Sequence, residues 1–175
     1  KGIDLAIRAV ERLGPDVPLV VVGDGAERPA LEALVERLGV GDRVELDGWD
    51  DRARHRLAGV DLYLLPSRLE AFPVTVMEAM QAGVPVVATD VGSVREAVDD
   101  GETGIVVPAP APLSDHVAGT AAAARADEAT VAAIVDAVTR LRDDPEARRR
   151  MGDRARVVGR DRFDAAAGVA AWEQL

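Results

Sequence analysis

The feature that most constrains the fold of this chain is a repeated change of hydrophobic period. From residue 2 to residue 108, short β-branched runs alternate with longer amphipathic stretches. Residues 2–13, GIDLAIRAVERL, place Ile3, Ala6, Ile7, Val10 and Leu13 on one helical face, and Gly14-Pro15 stops the helix. PLVVVGDG then has the apolar continuity of a buried parallel strand ending in a glycine turn, and ERPALEALVERLG is the helix that follows. The unit recurs as RVELDG with the polar segment DDRARHRLAG, as VDLYLLPS with VTVMEAMQAG, and as VPVVATD with SVREAVDDG, before TGIVVP closes the series. Such alternation predicts an α/β domain, a Rossmann-like, mainly parallel sheet with helices on both faces.

After Pro108 the character changes. PAPAPLSDHVAGTAAAARADEAT is rich in Pro and Ala, and the remainder predicts helices only, with breaks near Ala126, Asp144-Pro145 and Asp161. Residues 1–108 are therefore the expected sheet-bearing part, and 109–175 the C-terminal helices that cover it. One element is missing. A doubly wound domain normally opens on a strand, whereas this chain enters its first helix at Lys1. In the common 3-2-1-4-5-6 order that first strand is central, so either the chain is part of a longer protein or another segment supplies the strand.

A chain of 175 residues, 48% of them apolar, suits one domain with a sizeable core. It has no cysteine, which excludes disulfides and thiolate zinc sites and fits a reducing, cytoplasmic setting. Its net charge of −10 argues against a nucleic-acid partner, because phosphate backbones are held by clustered cations. No apolar run has the roughly 20 residues of a membrane span.

Ligands of open α/β sheets bind beyond the carboxyl ends of the strands. That directs attention to the loops at 23–25, 47–49, 66–72 and 89–93, and to the start at Lys1. The third loop runs into EAFPVTVMEA, where Glu70 and Glu78 flank Pro73. Proline suits the first helical position, which would leave the amides of Val74 and Thr75 free for an anion. Lys1 is then a candidate second phosphate contact, Glu78 a candidate acceptor from ribose hydroxyls, and Glu70 faces whatever lies beyond the phosphates. The bland alternative is that both acids only complement the helix dipole, worth about 0.3–1 kcal/mol. GDGAER lacks the last glycine of a dinucleotide fingerprint and is expected to be a tight strand-to-helix turn. His55 and His116 stand apart in the sequence from any carboxylate cluster, so both are expected at the surface and no metal site is expected. No G-x-S-x-G elbow is present, and Ser67 and Ser93 have no neighbouring histidine.

LPSRLEAFPVTVMEAMQAGVPVVATDVGSVREAVDDGETGIVVP resembles the C-terminal donor-binding domain of retaining glycosyltransferases of family four, enzymes with the two-domain GT-B fold. The likeness extends through KGIDLAIRAV, LVVVGDGAER, RVELDGW and DDPEARRRMGDRAR. The family signature, two glutamates separated by seven residues, is matched by Glu70 and Glu78. The resemblance implies that Glu70 lies near the donor sugar and is the catalytic residue of the two in the sense of positioning that sugar, better placed for that than to act as nucleophile. It further implies that Glu78 binds the ribose, that the Val74 and Thr75 amides and Lys1 hold the diphosphate, and that the base rests near Gly48 and Trp49. Ala71 and Pro73 stand where the family often has glycine, and the family's phosphate-binding arginine would precede residue 1.

The function so implied is transfer of a sugar from a UDP- or GDP-linked donor to an acceptor, with retention at the anomeric carbon. No cofactor or metal is expected beyond the donor itself. The acceptor-binding N-terminal domain, a further partner and the route of any peripheral membrane association, is not in the sequence, and residues 1–175 alone are expected to be nearly inactive. Two other readings stand beside this one: a nucleotide-sugar-binding module without transfer activity, and an epimerase or phosphorylase on a similar fold. Against a phosphorylase, the only lysine is Lys1, so none lies in the helical core to carry pyridoxal.

Overall fold

The computed structural model describes residues 1–163. In chain order the elements are α1 (Ile3–Arg12), β1 (Leu19–Val22), α2 (Arg28–Leu38), β2 (Val44–Gly48), α3 (Ala53–Arg56) with a 3-10 turn over Leu57–Gly59, and β3 (Tyr63–Leu65). There follow α4 (Val74–Ala82), β4 (Val86–Thr89), α5 (Val94–Ala97), β5 (Gly104–Val107), α6 (Leu113–Val117), α7 (Ala121–Asp143) and α8 (Pro145–Arg162). Every expected strand is present, and all ladders are parallel. The α/β class therefore holds. GDGAER is, as expected, the turn from β1 into α2.

The strands form two separate sheets, β1–β2 and β3–β4–β5. Among the described residues no strand pairs with the free edge of β1 or of β3. The three-stranded sheet is covered on both faces: Val86 and Ala88 of β4 pack with Val76, Met80, Val94 and Val158, whereas Val87, pointing the other way, packs with Leu5, Ile134 and Leu141. Each such wholly buried aliphatic side chain stabilises the fold by about 1.5–3 kcal/mol. Helix α1 joins the halves, because Leu5, Ala9 and Leu13 enter that second cluster while Ile7 and Val10 meet Leu34, Val40 and Val44. Burial on two sides is more than the one apolar face expected for it.

The helical part differs from expectation at one point. No break occurs near Ala126, and α7 runs unbroken from Ala121 to Asp143. The alanine run has high helix propensity, and Thr120 caps it by accepting from the Ala123 amide at 3.0 Å. Asp127, next to the expected break, is buried and bonded to the Arg68 side chain and the Ala111 amide. The break at Asp144-Pro145 is present: Asp144 accepts from the Ala147 amide at 2.8 Å and Pro145 opens α8. The break expected near Asp161 falls at Arg162, and the rest of the segment to 175 lies outside the described residues. No described helix is long and apolar enough to cross a membrane.

Candidate functional site

The loop between β3 and α4 and the start of α1 meet at the carboxyl end of the larger sheet. Gly2, with φ +69°, lies so close to this loop that a Cβ there would stand 2.0 Å from the Pro66 carbonyl oxygen. Only glycine permits that approach, and it brings Lys1 over the loop. Lys1 Nζ donates to Glu70 Oε1 at 2.6 Å, and Ser67 Oγ donates to the same oxygen at 2.6 Å. The Glu70 side chain is 8% exposed. Burial pushes its carboxyl up, but the hydrogen bonds from Lys1 and Ser67 outweigh this and hold it below the ordinary glutamate range. Glu70 is thus ionised at neutral pH, and among the described residues its second oxygen, Oε2, accepts no hydrogen bond.

The helix start that follows differs from the sequence expectation. Pro73 is the residue before α4, not its first, and its φ of −84° and ψ of 79° form an inverse γ-turn. The Val74 amide consequently donates to the Phe72 carbonyl at 3.0 Å and is not free. Among the described residues the Thr75 amide has no acceptor, and it remains available to an anion at the positive end of α4. The Thr75 hydroxyl is fixed by Tyr63, whose OH donates to Thr75 Oγ1 at 2.8 Å; burial pushes the Tyr63 phenol up and keeps it protonated. Glu78 is half-buried one turn into α4 and forms no hydrogen bond among the described residues.

Gly48 and Trp49 belong to the other half of the molecule. Gly48 ends β2, and its carbonyl accepts from the Gly23 amide at 2.6 Å. Trp49 beyond it is 82% exposed. Lys1 and Glu70 are thus brought into direct contact, Val74, Thr75 and Glu78 follow on the adjoining helix, and Gly48 and Trp49 stand at the end of a strand in a separate sheet.

Beneath Lys1 and Glu70 lies a cluster that spacing in the sequence did not reveal. Arg68, with a side chain 4% exposed, reaches Asp127 on α7 (Nη1 to Oδ1, 2.5 Å) and Asp4 on α1 (Nη2 to Oδ2, 2.9 Å). The Ala111 amide donates to Asp127 Oδ1 at 3.0 Å, and His116 Nδ1 faces Oδ2 at 3.0 Å. Burial pushes the Asp127 carboxyl up, yet Arg68, the Ala111 amide and His116 together hold it below the usual aspartate range. His116 is accordingly half-buried and paired with a carboxylate, whereas the sequence placed it at the surface away from acids; α6 folds back on α7 and makes the pair. His55 is exposed as expected. Ligand atoms of Asp4, His116 and Asp127 lie within 4.8 Å of one another, but both carboxylates already hold the Arg68 guanidinium, whose charge opposes a cation there. The cluster is an internal brace. It ties α1, the Glu70 loop and α7 to one guanidinium.

Comparison with known proteins decides the family. The pattern described as "Glycosyl transferases group 1" matches residues 1–119, which include every candidate site residue. The chain belongs to the group 1 glycosyltransferases. This glycosyltransferase chain is 37% identical over 160 residues to the alpha-D-kanosaminyltransferase of Streptomyces kanamyceticus, a match covering 89% of this chain and 36% of that protein. It is 38% identical over 122 residues to the D-inositol 3-phosphate glycosyltransferase of Xylanimonas cellulosilytica, with 65% of this chain and 29% of that protein covered. Among solved structures, the sucrose-phosphate synthase of Thermosynechococcus elongatus superposes with a TM-score of 0.83 at 28% identity, over 99% of this chain and 41% of that one. The fold is also shared with Anabaena HepE crystallised with UDP, at TM-score 0.83 and 23% identity, covering 100% of this chain and 46% of that one. The chain therefore spans less than half the length of these relatives. The Rossmann-like fold of GT-B glycosyltransferases matches its parallel strands and covering helices.

Proposed function

We propose that this glycosyltransferase domain binds a nucleotide diphosphate sugar, UDP- or GDP-linked, and that its site takes part in transfer of the sugar to an acceptor with retention at the anomeric carbon. The observation that carries the proposal is the pairing of Lys1 with the buried carboxylate of Glu70 beside the unpartnered Thr75 amide. A cation, an N–H at a helix start and a helix dipole converge where a diphosphate would sit, and each stabilises the charge that grows on a departing diphosphate. No metal or other cofactor has a part in this reading. Lys1, 67% exposed on its side chain, is free to turn from Glu70 toward a phosphate. Glu70 would keep its bond from Ser67 and offer Oε2 to a sugar hydroxyl. Glu78 would accept from the ribose, and the base would lie toward Gly48 and Trp49. HepE has been crystallised with UDP and with UDP-glucose, which supports a nucleotide-sugar donor. Retention rests on the family resemblance. The acceptor would be held by a further domain, as the 36% share of the kanosaminyltransferase suggests.

A thermal-shift screen of nucleotide diphosphates, followed by calorimetry, tests the donor class. A raised melting temperature with UDP or GDP is the expected result. Glu78→Ala should weaken the nucleotide that binds by about tenfold, the loss of a hydrogen bond to a charged group. Unchanged affinity in that variant would refute the ribose role.

A further inference from the structure

We propose that the loop after β4 is a positioning element for Glu70, acting through Gly92 and Ser93. The proposal rests on the donor-site reading of Glu70 given above. Beyond the ends of β3 and β4 the chain runs as two loops side by side, and the second grips the first at three points. The buried Thr89 hydroxyl donates to the Ser67 carbonyl at 2.6 Å. Gly92 backs onto Glu70 itself, so that a Cβ on it would stand 1.9 Å from the Glu70 carbonyl oxygen and 2.7 Å from its carbonyl carbon. Ser93 Oγ donates to the Ala71 carbonyl at 2.5 Å.

These contacts keep step with one another. Thr89 to Ser67 and Ser93 to Ala71 both join residues 22 apart in sequence, and Gly92 and Glu70 fall in the same register. The pairing of β3 with β4 thus continues, shifted by one residue, into the loops that carry the site. Glu70 is consequently held at both ends: Lys1 and Ser67 fix its carboxylate, and Gly92 and Ser93 fix its peptide.

Two features distinguish this from ordinary loop packing. Gly92 is exposed and Ser93 half-buried, so neither adds appreciably to the apolar core. Their contacts fall on the peptides of Glu70 and Ala71, while the polar support of the sheet end is already supplied by Thr89. If Lys1 turns toward a phosphate, Ser67 and this backbone grip are what keep Glu70 in place. Gly92, at φ +55°, cannot gain a side chain without moving the Glu70 peptide.

The test uses the 175-residue chain and calorimetry with UDP, UDP-glucose, GDP and GDP-mannose. Gly92→Ala is expected to weaken the preferred nucleotide sugar about tenfold, while the matching nucleotide diphosphate changes less than about twofold. Ser93→Ala should move the same ratio by about threefold, and Ser93→Thr should restore it. A ratio unchanged in both Gly92→Ala and Ser93→Ala would overturn the proposal. So would equal losses for sugar and nucleotide accompanied by a lowered melting temperature, because the loop would then support the fold and not Glu70. Failure of the unaltered chain to bind any of the four probes would overturn the donor-site reading, and the positioning role with it.

Discussion

The two sheets are built on the same strand-helix unit and yet differ in how deeply they are buried and how their loops are held. Every residue of β4 is buried, and the loops beyond β3 and β4 are held by Thr89, Ser67, Ser93 and the Arg68 brace. In β1, by contrast, Val20 is 47% exposed, and Trp49 beyond β2 projects into solvent. The side-chain ties there include Arg28, which donates to the Leu46 carbonyl at 2.7 Å and pairs with Glu32 on its own helix, and Arg56, half-exposed, which pairs with Asp47 and Asp50 on either side of Gly48 and Trp49. The more deeply buried half carries Glu70 and Thr75, which the proposed reaction needs fixed to within fractions of an ångström. The open half carries Gly48 and Trp49, where a base needs only a surface to rest on. Burial in this domain is deepest beneath the loops where charge is proposed to develop.

The sharpest way to break that comparison is to remove one charge from each half. Arg68→Ala would leave Asp127 and Asp4 without their common cation, Asp127 being buried. Breaking a buried pair in this way costs about 3–5 kcal/mol. Arg28→Ala removes an i,i+4 pair whose glutamate is largely exposed, worth about 0.3–0.5 kcal/mol, together with one hydrogen bond to a carbonyl worth about 1 kcal/mol. Urea denaturation should therefore show Arg68→Ala as much the more damaging. Equal midpoints for the two variants would mean that the brace does not set the rigidity of its half.

Acid titration sharpens the same contrast. The folded-state carboxyls of Asp127 and Glu70 are held below their ordinary values. A depressed carboxyl stabilises the fold at pH above its unfolded value, about 3.9 for Asp and 4.3 for Glu, and that contribution disappears as pH falls through the lower folded value. Stability should therefore be flat near neutrality and fall off below about pH 4. In Asp127→Asn the acid-side loss should be smaller, on a lower plateau, because that carboxyl no longer titrates. A variant with the same acid slope as the unaltered chain would remove Asp127 from the account.

How much of this was legible beforehand follows from the range of each interaction. The strands and their order of appearance were readable, because period and turn residues are local. The place of Lys1, Glu70 and Thr75 beyond the strand ends was readable from loop position, while their roles belong to the proposal. The inverse γ-turn at Pro73 was not, since a proline before a helix suits either the first helical position or the residue ahead of it; the choice decided the fate of the Val74 amide. Arg68, Asp4, Asp127 and His116 left no trace in spacing, because Arg68 lies 59 residues from Asp127 and 64 from Asp4. The helix break expected near Ala126 failed because the high helix propensity of the alanine run carries α7 through it.

The smallest effect tests the comparison most finely, because it places identical chemistry in both halves. Val87→Thr in β4 would put a hydroxyl where Val87 is now wholly buried among Leu5, Ile134 and Leu141. With its ladder bonds engaged by β3 and β5, that strand offers the hydroxyl little but apolar neighbours, and the burial should cost about 1–3 kcal/mol. Val20→Thr in β1 makes the same exchange at a half-exposed position, where threonine keeps the β-branched shape and the hydroxyl meets water. Its change should stay within about 0.5 kcal/mol. Melting midpoints of the two variants, measured side by side, should differ by several degrees. If Val20→Thr proved as costly as Val87→Thr, the face of β1 that carries Val20 would be covered in solution, and the openness of that half would have to be given up.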